Sequence, residues 1–171
     1  IALIFIAHKT LEWSIFSEQA RELLDTAGNV AEAQAYFNQH PGLTLEDAGY
    51  KSTNDRLFFY VFNQDGRLSN FARASFHIEP FILDVVSNWQ AQEGEVSVFG
   101  RKNEREQMTR IMMTAKTVVN DDGSVQTVYV GKDVTAMYNG LQKSTYAMVV
   151  LGIVALLLAT VLGPILSGRA M

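Results

Sequence analysis

The first part of the chain carries apolar residues at steps of three and four, the spacing of one face of an α-helix. The residues on this face are Trp13, Phe16, Ala20, Leu23, Leu24 and Ala27. They predict a long amphipathic helix that starts in the apolar residues 1–7 and is interrupted at Gly28. Asn29 and Glu32 have the spacing of a capping box, which predicts a second helix as far as about Asn38.

The middle of the chain changes to the patterns of strands and turns. Residues 57–62, LFFYVF, are apolar on both alternating faces, as in a central strand that is covered on both sides. Runs of Asn, Asp and Gly at residues 63–66 and 120–123 predict hairpin turns. The predicted strands cover residues 57–62, 67–74, 95–101, 107–119 and 124–131.

A helix is predicted between these two groups of strands. Pro80 suits the first turn of a helix. Ile82, Val85 and Trp89 then follow helical spacing, and we expect the helix to end near Gly94. Asp133 is placed to cap a last helix. Two hairpins that flank a helix predict an α+β domain with a five-stranded antiparallel sheet, packed by helices.

The C-terminal part contains 21 residues, 146–166, whose only polar side chains are those of Tyr146 and Thr160. A helix of this length reaches about 30 Å, the thickness of the hydrocarbon layer of a bilayer. A core helix of a soluble protein usually carries a polar stripe, so the pattern favours a membrane span. Residues 1–7 are too few to cross a bilayer, and they suit either a buried strand or the outer end of a first span.

The charged residues lie almost entirely between these two apolar segments. Residues 8–145 hold 18 acidic side chains and 13 Lys or Arg, a net charge of −5, which argues against a nucleic-acid surface. The chain has no cysteine, and the three histidines His8, His40 and His77 are not spaced as a helical metal pair. Asp121 and Asp122 suit a hairpin turn better than a calcium loop. We therefore expect no metal, cofactor or catalytic group in these residues.

The order of these elements resembles the extracytoplasmic PAS-like (double-PAS or Cache-type) sensor domain of bacterial signalling receptors. The sequence FYVFNQDGRL, residues 59–68, resembles the first hairpin of that family. GKDVTAMYNGL, residues 131–141, resembles the segment that leaves the last strand and enters the second membrane helix. LSGRAM, residues 166–171, is similar to the junction that opens the cytoplasmic linker in many sensor histidine kinases.

The resemblance implies a division of the chain and a function. Residues 1–7 would be the outer end of a first span, 8–145 the extracytoplasmic domain, 146–166 the second span and 167–171 the start of a cytoplasmic linker. It also implies a homodimer in the cytoplasmic membrane of a bacterium, and a kinase that acts on a response regulator. No phosphoacceptor histidine helix or nucleotide-binding region is present, so the kinase is expected beyond these residues.

In PAS-like sensors the implied ligand pocket lies between the sheet and its connecting helices. An arginine beside aromatic rings can hold a carboxylate while the rings exclude water. The candidate residues of this kind on the predicted strands are Tyr60, Phe71, Arg73, Phe99, Arg101 and Tyr129. The alternative is ordinary core packing with arginines on the surface. The stimulus, a small molecule or a physical change, is not defined by these residues.

The predicted span carries small residues at steps of four, Ala155, Ala159 and Gly163. Such a stripe lets two helices approach closely in lipid, and it is a candidate dimer face. Pro164 removes one backbone donor, so it is a candidate hinge between the span and the linker or an ordinary helix end.

We therefore expect the sensing and transmembrane part of a sensor histidine kinase. The alternatives are the sensor half of a chemoreceptor or of a cyclic-dinucleotide enzyme, and a membrane-anchored binding protein without cytoplasmic output. An external enzyme on a stalk is disfavoured, because no catalytic constellation is present in the sequence.

Overall fold

A computed structural model describes residues 2–40, 57–72, 74, 77–102 and 106–167, with the backbone alone for residues 2–5, 7 and 161–167. The elements follow one another as three helices and five strands among these residues. They are α1 Ala2–Gln39, β1 Leu57–Asn63, β2 Leu68–Ala72, α2 Glu79–Asn88, β3 Val96–Lys102, β4 Met108–Val119, β5 Val125–Asp133 and α3 Thr135–Ser167. The predicted α+β class with a five-stranded antiparallel sheet is confirmed.

The strands lie in the order β2-β1-β5-β4-β3, and each pairs antiparallel with its neighbours. The two predicted turns close the hairpins β1–β2 and β4–β5. Gly66 and Gly123 have φ values of +77° and +81°, a conformation that side-chain-bearing residues rarely adopt. The last strand, β5, is therefore the centre of the sheet, between β1 and β4.

Strand β1 is covered on both faces, as its apolar pattern predicts. Phe58 and Tyr60 point to one face and pack in one cluster with Ile82 and Val85 of α2. The intervening residue Phe59 is buried as well. Burying a side chain of this size contributes about 1.5–3 kcal/mol, so the core lies around this strand.

Helix α1 continues through Gly28, and the predicted interruption there is wrong. A glycine inside a helix costs about 1 kcal/mol relative to alanine. Leu23, Ala27 and Val30 are at most 2% exposed, and their burial outweighs that cost. Asn29 is consequently an interior helix residue rather than a cap.

Helix α2 ends earlier than predicted, at Asn88 rather than near Gly94. Trp89 takes an extended conformation, with φ −93° and ψ 117°, and its N–H still bonds to the carbonyl of Val85. Its ring packs edge-on against Phe99, with ring centroids 5.1 Å apart. Trp89 continues the helical spacing of α2, but it packs in the core from a position beyond the end of the helix.

The chain divides into two compact units, residues 17–135 and residues 1–16 with 136–171. In the second of these, Nδ1 of His8 lies 2.6 Å from the hydroxyl of Thr145, a hydrogen bond between α1 and α3. Among the described residues α3 is the one helix long and apolar enough to cross a membrane, over Thr135–Thr160. None of its apolar window is buried, whereas the core helix of a soluble domain would be mostly buried.

Candidate functional site

The five candidate pocket residues that the structure describes lie on the face of the sheet that α2 covers. Tyr60 is paired in register with Phe71 on β2 and with Tyr129 on β5, so these three form one row across the sheet. Phe99 and Arg101 are two residues apart on β3, so they share one face of that strand. Arg73 lies outside the described residues.

Aromatic packing brings three of these residues into the core. Tyr60 is 1% exposed, and Phe99 and Tyr129 pack partly buried against the same cluster. Trp89 links them, because its ring contacts both Phe99 and Tyr129, with centroids 5.1 and 6.2 Å apart. Burial also raises the pKa of the Tyr129 phenol, since the ionised form loses hydration. Side chains therefore occupy this part of the space between the sheet and α2.

The Tyr60 hydroxyl reaches the connection between β2 and α2. It donates a hydrogen bond to a carboxylate oxygen of Glu79, at 3.4 Å, and lies 3.5 Å from the backbone nitrogen of Ala74. Tyr60 thus holds the start of α2 against β1. Phe71, by contrast, is exposed at the edge strand β2.

Arg101 lies apart from the aromatic packing and lines a cavity of about 240 Å³ at the start of α2, which we call the edge cavity. Its lining residues are His77, Ile78, Pro80, Phe81, Arg101, Lys102 and Thr109. Three of them are basic or imidazole side chains and none is acidic. Arg101 lies directly opposite Thr109 in the β3–β4 ladder. Sequence reasoning found Arg101 but not its neighbours here, because three separate segments of the chain bring them together.

A second cavity, of about 510 Å³, lies between the end of α1 and the β4–β5 turn. Asp121 and Asp122 line it, and each of them accepts hydrogen bonds. Asp121 accepts from Gln39, while Asp122 accepts from the hydroxyl and the backbone N–H of Ser124. The two bonds from Ser124 lower the pKa of Asp122, because they stabilise the carboxylate. This geometry is that of a closed hairpin turn.

Beside this cavity, amide side chains form a hydrogen-bonded network between α1 and the sheet. Its members are Gln34, Asn38, Asn63, Asn70, Asn120 and Gln126. Gln34 and Gln126 are buried, and each has partners in this network. A satisfied network fixes the position of a helix on a sheet, because a buried amide without a partner is costly. Nothing in the spacing of these residues along the chain predicts it.

Four hydrogen bonds hold the junction between the last strand and α3. Asp133 accepts from the N–H of Thr135 at 2.8 Å, which confirms its predicted capping role. The Thr135 hydroxyl bonds to both the N–H and the carbonyl of Arg110 on β4, at 2.8 and 3.2 Å. The N–H of the buried Val134 donates to the same carbonyl at 3.0 Å. The first residue of α3 is therefore hydrogen-bonded both to β4 and to the end of the central strand β5.

The small residues of the predicted dimer face lie on α3. Ala155 and Ala159 are exposed. Gly163 and Pro164 both fall inside the helix, which continues to Ser167. The backbone is helical on both sides of the candidate hinge.

The chain was compared with protein-family models and with curated proteins. No family model matches it. No curated protein matches it either.

Proposed function

We propose that the chain is the sensing and transmembrane-signalling portion of a bacterial sensor histidine kinase. In this proposal residues 8–145 lie outside the cytoplasmic membrane, and residues 1–7 and 146–166 belong to two spans. A cytoplasmic kinase follows residues 167–171 and phosphorylates a response regulator.

The observation that carries the proposal is the junction at residues 133–135. The central strand of the sheet passes, after one residue, into the helix that is long and apolar enough to cross a membrane. Four hydrogen bonds hold that junction, three of them to Arg110 of the neighbouring strand. We propose that this junction transfers a displacement of the sheet to the start of α3.

The fold supports the same proposal. The five-stranded antiparallel sheet is in keeping with the PAS-like domain that the sequence resembles, and its first and last strands pair at the centre. The long helix α1 precedes it and an apolar helix follows it, as the resemblance implies. Fold alone does not define function, so the proposal rests more on the junction than on the resemblance to PAS-like domains.

Signalling requires two states that a stimulus stabilises unequally. We propose that the stimulus changes the packing of the sheet domain or of its dimer interface, and that α3 carries the change across the bilayer. Ala155 and Ala159 would let the spans of two copies approach closely, and Pro164 would lie near the cytoplasmic end of α3.

The test varies the helical phase of α3 in the full-length protein. Insertion of one or two alanines between Ala136 and Met137 rotates the rest of the helix by about 100° per residue, and four alanines return it to within about 40°. We expect autophosphorylation in membranes to change strongly when one or two alanines are inserted and to recover partly when four are inserted. Insertions in the exposed turn at Gly66 are the control and should change nothing.

Equal activity in all α3 insertions would contradict the proposal. The chemistry of the product separates the output classes, because phosphate on histidine is acid-labile. A chemoreceptor, a cyclic-dinucleotide enzyme or a binding protein without output would not form it.

A further inference from the structure

The edge cavity has the charge and the size of a site for a small anion. We propose that it binds a single oxyanion group, a carboxylate or a phosphate, held chiefly by Arg101. That this anion is the stimulus of the sensor rests on the proposed function. Its binding to the edge cavity does not depend on any kinase output.

The two strands that form one wall place complementary donors side by side. Arg101 lies directly opposite Thr109 in the β3–β4 ladder, so the two residues share one face of the sheet. The planar guanidinium offers paired N–H donors that match two oxygens of a carboxylate or phosphate. The threonine hydroxyl offers a further donor. His77 lines the other wall.

The floor of the edge cavity is apolar. Ile78 and Phe81 line it, and both are buried in the core beneath α2. Apolar walls lower the local dielectric constant, which strengthens the attraction between an anion and the guanidinium of Arg101 at the mouth. The positive end of the α2 dipole has the same sign of potential as the guanidinium.

The competing ion pair of Arg101 is weak. Its nitrogen lies 4.0 Å from a carboxylate oxygen of Asp84, and the two side chains are 57% and 63% exposed. Solvent-exposed pairs of this kind contribute little to stability. The guanidinium can therefore exchange Asp84 for a ligand at small cost.

The volume limits the ligand. A cavity of about 240 Å³ holds about eight water volumes of about 30 Å³ each. This suits inorganic phosphate or a carboxylate of a few carbon atoms, and it is below the usual range for drug-sized ligands.

The experiment is calorimetric titration of the whole chain in non-ionic detergent micelles, with inorganic phosphate and with succinate as separate probes. We expect at least one of them to bind, and the tighter probe identifies the oxyanion. Arg101→Gln should weaken that binding about tenfold or more, because it removes a charge-assisted bidentate contact. Asp84→Asn should tighten it, because it removes the competing carboxylate. Circular dichroism checks that each variant is folded.

Arg67→Gln is the matched control, because Arg67 is also an exposed arginine with a nearby carboxylate, that of Asp65. Binding should be unchanged in this variant. If neither probe binds at about 10 mM, or if Arg67→Gln weakens binding as much as Arg101→Gln, the edge cavity is not an anion site. Either result would leave the signalling proposal standing. Conversely, anion binding together with autophosphorylation that does not depend on the helical phase of α3 would contradict the signalling proposal alone.

Discussion

Gly131 is the position where the packing of the sheet can be tested by a single added carbon. It lies on β5 between Phe58 of β1 and Met113 of β4. A Cβ at this position would be 2.3 and 2.4 Å from two ring carbons of Phe58 and 2.9 Å from Cγ of Met113. Carbon atoms in contact settle at about 3.5–4.0 Å, so the ring would have to move by about 1 Å.

Phe58 has little room for that movement. It is 1% exposed and packs in the cluster beneath α2. Overpacking of a filled core costs about 1–3 kcal/mol, and we expect Gly131→Ala to lower the free energy of unfolding by an amount near the upper end of this range. The same substitution at Gly28 should have the opposite sign, because a Cβ there meets only Nζ of Lys116, at 3.8 Å. Gly28→Ala should stabilise the chain by about 1 kcal/mol through helix propensity.

The assay is urea unfolding in micelles, followed by the fluorescence of Trp89. The chain has two tryptophans, and the exposed Trp13 can be replaced by phenylalanine. Phe58→Leu combined with Gly131→Ala should be less destabilised than the sum of the two single changes, since the smaller side chain makes room. An unchanged midpoint for Gly131→Ala would refute the reasoning. It would mean that Phe58 does not fill the space beside Gly131.

Three further predictions concern the junction, the core and the span. Asp133→Ala should destabilise the sheet domain by about 1 kcal/mol in the same unfolding assay, because the N–H of Thr135 loses its acceptor. The raised pKa of Tyr129 means that the folded state keeps this proton longer than the unfolded state, so stability should fall as pH rises above the reference value of 10.0; Tyr129→Phe should reduce that fall. A cysteine at Ala159 should crosslink two copies in membranes, while one at Leu157, about 200° around the helix, should not; equal crosslinking would exclude the small-residue face.

The sequence predicted best those elements whose own residues show which faces are buried or which turn conformation is needed. Strand β1 is apolar on both faces and is buried on both, and the turns at Gly66 and Gly123 require the conformation that their glycines permit. The apolar run of α3 was recognisable for the same reason, since its composition is nearly uniform.

The errors arose where tertiary packing overrides a local signal. Gly28 is an interrupting residue by propensity, but the flanking buried residues keep α1 continuous. Trp89 fits the helical spacing of α2 but packs on Phe99 from beyond its end. Spacing could not distinguish a residue on the helix from one that reaches the same core after it.

The edge cavity was predicted only in part, and the reason differs from that for the helices. Arg101 carries a recognisable chemistry, whereas the edge cavity also needs His77 and Thr109, which are distant along the chain. The amide network has the same character, because Gln34 and Gln126 meet only when α1 lies on the sheet. Such groupings depend on topology and register, which a pattern along one chain does not contain.

The central claim is that the sheet domain lies outside the membrane and that α3 crosses it. The chain has no cysteine, so single cysteines can be introduced at Gln64, in the exposed β1–β2 turn, and at Ser167, the last residue of α3. Intact bacterial cells that contain each variant are treated with a membrane-impermeant maleimide. We expect position 64 to be labelled in intact cells and position 167 to be labelled only after the membrane is opened. Labelling of both positions in intact cells, or of position 167 alone, would contradict it.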